Sequence, residues 1–145
     1  MVIGRGYNEL KTGDAFDSAM TLTETHIVLG AGLFGDFNPL HVNQSFADES
    51  RFGGRIAHGY LTSNLMAAPL GMVFHGTAIA YVEHCIRFTA PVRAGDTLSV
   101  TWTVAQLDPK PKHAGGMVLL TGVAKNQDGV AVANADAKLL VRDNN

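Results

Sequence analysis

The stretch Ala57-His58-Gly59-Tyr60-Leu61-Thr62-Ser63-Asn64-Leu65-Met66-Ala67-Ala68-Pro69-Leu70 contains no Lys, Arg, Asp or Glu. A helix lying on a protein surface carries a charged face. A charge-free run with His58, Leu61, Leu65, Met66 and Ala68 set along it therefore predicts a helix enclosed by the core, from Ala57 to about Leu70. The residues that follow supply the enclosure. Leu98, Val100, Trp102 and Val104 alternate with Ser99, Thr101 and Thr103, the period of a half-buried antiparallel strand. Thr77 to Thr89, Gly116 to Asn126 and Val130 to Val141 read as three more strands, with Asp128-Gly129 supplying the positive-φ residues of a tight hairpin. In the last of these, Ala131, Ala133, Ala135 and Ala137 share one face, and a face of methyl groups lets a bulky helix approach closely.

Upstream of the buried helix, Phe16, Ser18, Met20 and Leu22 lie two apart after a turn at Lys11-Thr12-Gly13-Asp14, which predicts a first strand. Thr21 and Glu24 have capping-box spacing, and Ile27, Val28 and Ala31 continue a helix near residues 24 to 33. Asn43 caps a short segment from Gln44 to about Ser50, with Phe46 and Ala47 facing inward beneath Asp48 and Glu49, and Gly53-Gly54 ends it. These elements make one α+β domain over residues 1–145: an antiparallel sheet of about five strands wrapped around a long central helix, the hot-dog shape.

The chain has 145 residues and a formal charge of −2, so no sequence-wide positive field attracts nucleic acid. Its longest apolar run, Leu65 to Phe74, is broken by Pro69 and Gly71 and falls short of the roughly 20 residues of a membrane span. Met1 to Asp14 mixes Arg5, Glu9, Lys11 and Asp14 without an apolar block, unlike a secretory or transit segment, which points to the cytoplasm. Cys85 is alone, so no internal disulfide and no cysteine metal cluster is encoded, and it reads as a small buried hydrophobe. Trp102 reads as core. Glu83 and His84, adjacent in a strand, point to opposite faces, and Pro109 to His113 reads as a solvated loop.

The segment Gly35-Asp36-Phe37-Asn38-Pro39-Leu40-His41 brings a carboxylate, an amide and an imidazole close in sequence. In an α-helix, residues five apart are turned about 140° from one another, which would separate Asp36 from His41. Pro39 lacks an N–H and pushes Asn38 into extended backbone, so the chain can fold back and let both side chains address one water as general acid and base. Asn38 can orient either one. The same residues are equally ordinary turn chemistry, with Asp and Asn capping amides. The second element is Ala57-His58-Gly59, where the Gly59 N–H opens the buried helix and can hold an oxygen that gains negative charge.

Gly35-Asp36-Phe37-Asn38-Pro39-Leu40-His41 followed by Ala47 resembles the signature of the MaoC-like, R-specific 2-enoyl-CoA hydratases. Phe52 to Gly59 and Arg87 to Asp96 are similar to the helix-entry and strand-turn segments of that family, and the resemblance spans roughly residues 7 to 142. It implies a hot-dog fold and water addition to a trans-2-enoyl thioester, with the acyl-CoA arm in a tunnel at a homodimer interface. By the same resemblance, Asp36 and His41 are the catalytic pair that handles the water, and Asn38 and Gly59 are substrate-binding residues, Asn38 as the amide of the loop and Gly59 as the oxyanion donor. The roles of Asp36 and His41 as acid or base stay open, and neither metal nor redox cofactor is required. Phe34 and Ala67 stand where relatives often carry hydroxyl residues. Two other functions fit the same fold: a thioesterase releasing free CoA thiol, and an acyl-CoA-binding module without turnover.

Overall fold

The computed structural model describes residues 3–144. Its elements run in the order β1 (Ala15–Thr21), α1 (Glu24–Phe34), α2 (Pro39–Val42), α3 (Gln44–Glu49), α4 (Gly59–Val73), β2 (Ala78–Phe88), β3 (Thr97–Lys110), β4 (Gly115–Lys125) and β5 (Ala131–Arg142). The five strands form one antiparallel sheet in the order β1-β3-β4-β5-β2. Helix α4 packs against β1 and β2, the two edge strands, so the sheet curls around it; this is the hot-dog fold. No helix among the described residues is long and apolar enough to cross a membrane.

The core lies between the concave sheet face and α4. Leu61, Leu65, Met66 and Leu70 from the helix meet Leu98, Val100, Trp102 and Val104 from β3, and Ala133, Ala135 and Ala137 from β5. Trp102 is fully buried and donates its indole N–H to the Met66 carbonyl at 2.7 Å, tying sheet to helix at the centre of the domain. Glu83 pairs with Lys138 on the outer face, while the His84 ring turns toward Trp102, its centroid 6.2 Å away.

Several local expectations are corrected. Helix α4 is enclosed on one face only: Tyr60, Asn64, Ala68 and Met72 are exposed. It starts at Gly59 rather than Ala57, because the extended His58 accepts the Leu61 and Thr62 N–H groups on its carbonyl, and it runs through Pro69 to Val73. The cap of α1 is Thr23, with the His26 Nδ1 accepting the Thr23 N–H at 2.9 Å; Thr21 is held in the β1 ladder opposite Thr97 and cannot start a helix. Phe46 is half exposed, because the short α3 turns only Ala47 into the core. Cys85 is exposed rather than buried: β2 is an edge strand, and Cys85 alternates with the inward His84 and Ile86. Of the hairpin residues only Gly129 has positive φ; the Asn126 side chain closes a longer loop by accepting the Asp128 and Val130 N–H groups. Strand β3 runs on through Pro109 to Lys110, so only Pro111–His113 of the expected loop leaves the sheet, as a 3₁₀ turn.

Candidate active site

Helix α1 ends where Gly35 takes the left-handed conformation (φ 69°), a position that suits a residue without Cβ, and the chain reverses into the Asp36 loop. Asp36 Oδ1 accepts the Asn38 N–H at 3.2 Å, closing an Asx turn. Asn38 is extended (φ −53°, ψ 131°), as the following proline demands, and its Oδ1 accepts the Leu40 N–H at 3.0 Å. Pro39 therefore starts the one-turn α2 as well as preventing a longer helix, and that turn swings His41 back toward Asp36. The Asn38 side chain thus acts as a helix cap; its main-chain N–H, not its amide, touches Asp36.

His41 is buried and its Nδ1 lies 2.8 Å from the Ile56 carbonyl. A carbonyl only accepts, so Nδ1 carries a proton, and in the neutral ring Nε2 is the bare nitrogen. That Nε2 stands 3.9 Å from Asp36 Oδ2. The gap is too long for a direct hydrogen bond and suits two groups that share one water. Asp36 keeps about half of its side chain exposed, whereas His41 is sunk beneath it. The chain leaving Ile56 is anchored on both sides: the Ile56 N–H donates to the Leu40 carbonyl at 3.1 Å and the Ala57 N–H to the Val92 carbonyl at 2.7 Å. This clamp delivers the start of α4 to the same place. Arg93 braces it from behind, donating to the Phe52 and Arg55 carbonyls.

Gly59 is the first residue of α4, and its N–H has no acceptor among the described residues, as expected in a first helical turn. Gly59 and His41 line one cavity of about 320 Å³, walled by Ile56, Thr62, Phe88 and Pro91. A Cβ on Gly59 would lie 3.0 Å from the Phe88 ring, so the missing side chain keeps the approach to that amide open. The structure thus brings Asp36, His41 and Gly59 to one region, with Asn38 one layer behind.

One residue at this place carries no role in the sequence reading. His58 is 1% exposed, its Nε2 lies 3.0 Å from the Asp36 main-chain oxygen, and its ring sits 3.9 Å from that of His41 at 33°. The available signal was its place beside Gly59 at the mouth of a charge-free helix. Asp36, His41 and His58 each offer a ligand-type atom, all within 4.8 Å of one another, the grouping among the described residues that could hold a metal ion. One ring nitrogen of each imidazole is already committed to a main-chain carbonyl. In chemical terms, the site offers a carboxylate and an imidazole nitrogen 3.9 Å apart, close enough to share one water, and a helix-start amide with no acceptor beside them.

The chain is similar in sequence and in fold to known proteins. Residues 8–121 match the model of the MaoC like domain. The chain is 42% identical over 106 residues to an (R)-specific enoyl-CoA hydratase of Rhodospirillum rubrum, covering 73% of this chain and 74% of the relative. It is 35% identical over 108 residues to a 3-hydroxybutyryl-CoA dehydratase of Methylorubrum extorquens, covering 74% and 69%. Among solved structures it is similar to the R-hydratase PhaJ1 of Pseudomonas aeruginosa, with TM-score 0.86 and 30% identity over 97% of this chain and 88% of that one. On the family model and these relatives together, the chain belongs to the MaoC-like family.

Proposed function

We propose that this protein adds water reversibly to the double bond of a trans-2-enoyl-CoA to give the (R)-3-hydroxyacyl-CoA. The observation that carries the reading is the 3.9 Å separation of His41 Nε2 and Asp36 Oδ2 beside the cavity that holds the free Gly59 amide. The names of the relatives support the same chemistry and supply the R configuration. A water held between the two side chains attacks Cβ, forming the new C–O bond. The π electrons of the double bond move toward the thioester, whose oxygen becomes an enolate oxygen held by the Gly59 N–H. That charge exists chiefly in the transition state, which is where an oxyanion donor accelerates the step. One member of the Asp36/His41 pair takes the proton that water loses and the same proton passes on to Cα on the same face, while the other member holds the water in place. The balance is complete without a redox partner, and no step calls on a metal. The domain works in the cytoplasm as a homodimer; the dimer is supported by the edge strand β2 with its exposed Ile79, Tyr81, Val82 and Phe88.

Purified protein should bleach the enoyl-thioester absorbance of crotonyl-CoA, with Asp36→Asn and His41→Ala each losing at least about 10² in rate. Full activity in both variants would sink the assignment. Release of free CoA thiol without bleaching indicates the thioesterase, and tight acyl-CoA binding with neither signal indicates a binding module; either result overturns the hydratase. Equilibrium sedimentation should return twice the 15.4 kDa chain mass, and a monomer removes the dimer from the proposal.

A further inference from the structure

Between the acid–base loop and the start of α4 stands one side chain that touches both. His58 directly precedes Gly59, so its backbone is fixed to the free amide, while its imidazole reaches across 22 residues of sequence to the Asp36 carbonyl. Because that oxygen only accepts, Nε2 carries the proton and Nδ1 is bare. Nδ1 is buried and has no partner among the described residues. Its neighbours on either side are the edge-on Phe34, 5.7 Å away at 79°, and His41, 3.9 Å away at 33°.

We propose that His58 is a positioning residue: its Nε2–H holds the Asp36 main chain, and with it the acid–base pair, at a set distance from the Gly59 amide. Packing alone does not account for a histidine here. A phenyl ring would fill the slot between Phe34 and His41 without leaving a buried ring nitrogen unsatisfied. What a phenyl ring cannot do is donate to Asp36 O. That carbonyl belongs to the residue whose carboxylate faces His41 Nε2, one residue beyond the left-handed Gly35, where the backbone has most freedom to swing. The hydrogen bond removes that freedom. The proposal rests on the hydratase reading, in which water, acid–base pair and oxyanion donor must line up along one substrate.

The test compares His58→Gln with His58→Phe, using crotonyl-CoA kinetics and thermal unfolding. Glutamine places its amide N–H the same number of bonds from Cα as imidazole Nε2, so it can restore the bond while losing the ring contacts. Phenylalanine keeps the ring and loses the bond. The Phe variant should lose about 10- to 100-fold in kcat with KM within threefold, because misplacement of reacting groups acts on the chemical step. The Gln variant should stay within about fivefold of wild type in kcat despite a lower Tm than the Phe variant, so activity and stability rank the pair in opposite order. A folded Phe variant with wild-type kcat, or a folded Gln variant with the same loss as Phe, overturns the proposal; either variant decides alone. Independently of turnover, the imidazole ¹⁵N shifts of His58 should report the Nε2–H tautomer, and an Nδ1–H tautomer also overturns it. An inactive wild type with the Nε2–H tautomer would instead count against the hydratase reading.

Discussion

Adding one methyl group at Gly59 separates the chemistry of the site from the stability of the fold. In Gly59→Ala the new Cβ would sit 3.0 Å from Phe88 Cε2 and Cζ and 3.6 Å from Cδ2. Normal contact requires the ring to yield by a few tenths of an ångström. Phe88 is half exposed on an edge strand and can do so. The backbone is not strained, since Gly59 begins α4 with no positive φ, and alanine is favoured over glycine in helices by up to about 1 kcal/mol. Folding stability should therefore change by less than about 1 kcal/mol in either direction. Activity should not be spared. The methyl group and the displaced ring both narrow the cavity that Gly59 shares with His41, where in the proposed reaction the thioester oxygen reaches the amide. One oxyanion donor is worth about 10² to 10³ in kcat, or roughly 2.7–4 kcal/mol, and obstruction forfeits much of it. The assay is steady-state hydration of crotonyl-CoA beside urea unfolding of the same sample. Turnover within threefold of wild type, with the unfolding midpoint unchanged, would refute the placing of the oxyanion at Gly59.

Two further perturbations test the frame around the site. Gly122 faces Trp102 across β3 and β4, and a Cβ there would fall 2.6 Å from the indole Cε3. That indole is fully buried and hydrogen-bonded to Met66, so Gly122→Ala should destabilise by about 1–3 kcal/mol or more, and an unchanged urea midpoint would contradict the packing. His84, beside the Tyr81 hydroxyl at 2.9 Å, has its pKa held below the ordinary 6.5 by burial. The unfolded chain then binds more protons than the native one, so stability falls as pH drops from about 6.5 toward the depressed native value, and levels off below it. His84→Gln should flatten the dependence of Tm on pH in that window; an undiminished slope would remove His84 as its source.

What the sequence makes legible is whatever depends on near neighbours. The alternation from Leu98 to Val104 writes a strand with one buried face, and the charge-free run through Leu65 and Met66 writes a helix with a partner to cover. Asp36, Pro39 and His41 fold back because proline constrains the residue before it. The failures come from long-range pairing. Cys85 sits in a strand as good as any other, but β2 ends the sheet, and no pattern within β2 says so. Thr21 has the spacing of a helix cap and instead joins a ladder to Thr97, a residue 76 positions away. Phe46 is apolar at a plausible inward position, yet α3 is too short to turn two residues into the core. His58 is illegible for the same reason, since its partner is a main-chain oxygen 22 residues away and leaves no side-chain signature.

The use of carbonyls as the fixed partners has a chemical consequence. Both imidazoles are oriented by main-chain oxygens, His41 by Ile56 and His58 by Asp36, rather than by carboxylates. A carboxylate behind His41 would also set its tautomer, but it would add a second negative charge beside Asp36 and favour the imidazolium before substrate arrives. A neutral carbonyl sets the same tautomer and leaves Nε2 bare. In the proposed hydration the thioester oxygen gains negative charge as water attacks, and each further anion near it would raise the barrier. Orienting the histidines through the backbone thus places no second carboxylate beside Asp36 and, in the proposed hydration, leaves the free Gly59 amide to meet the charge that develops.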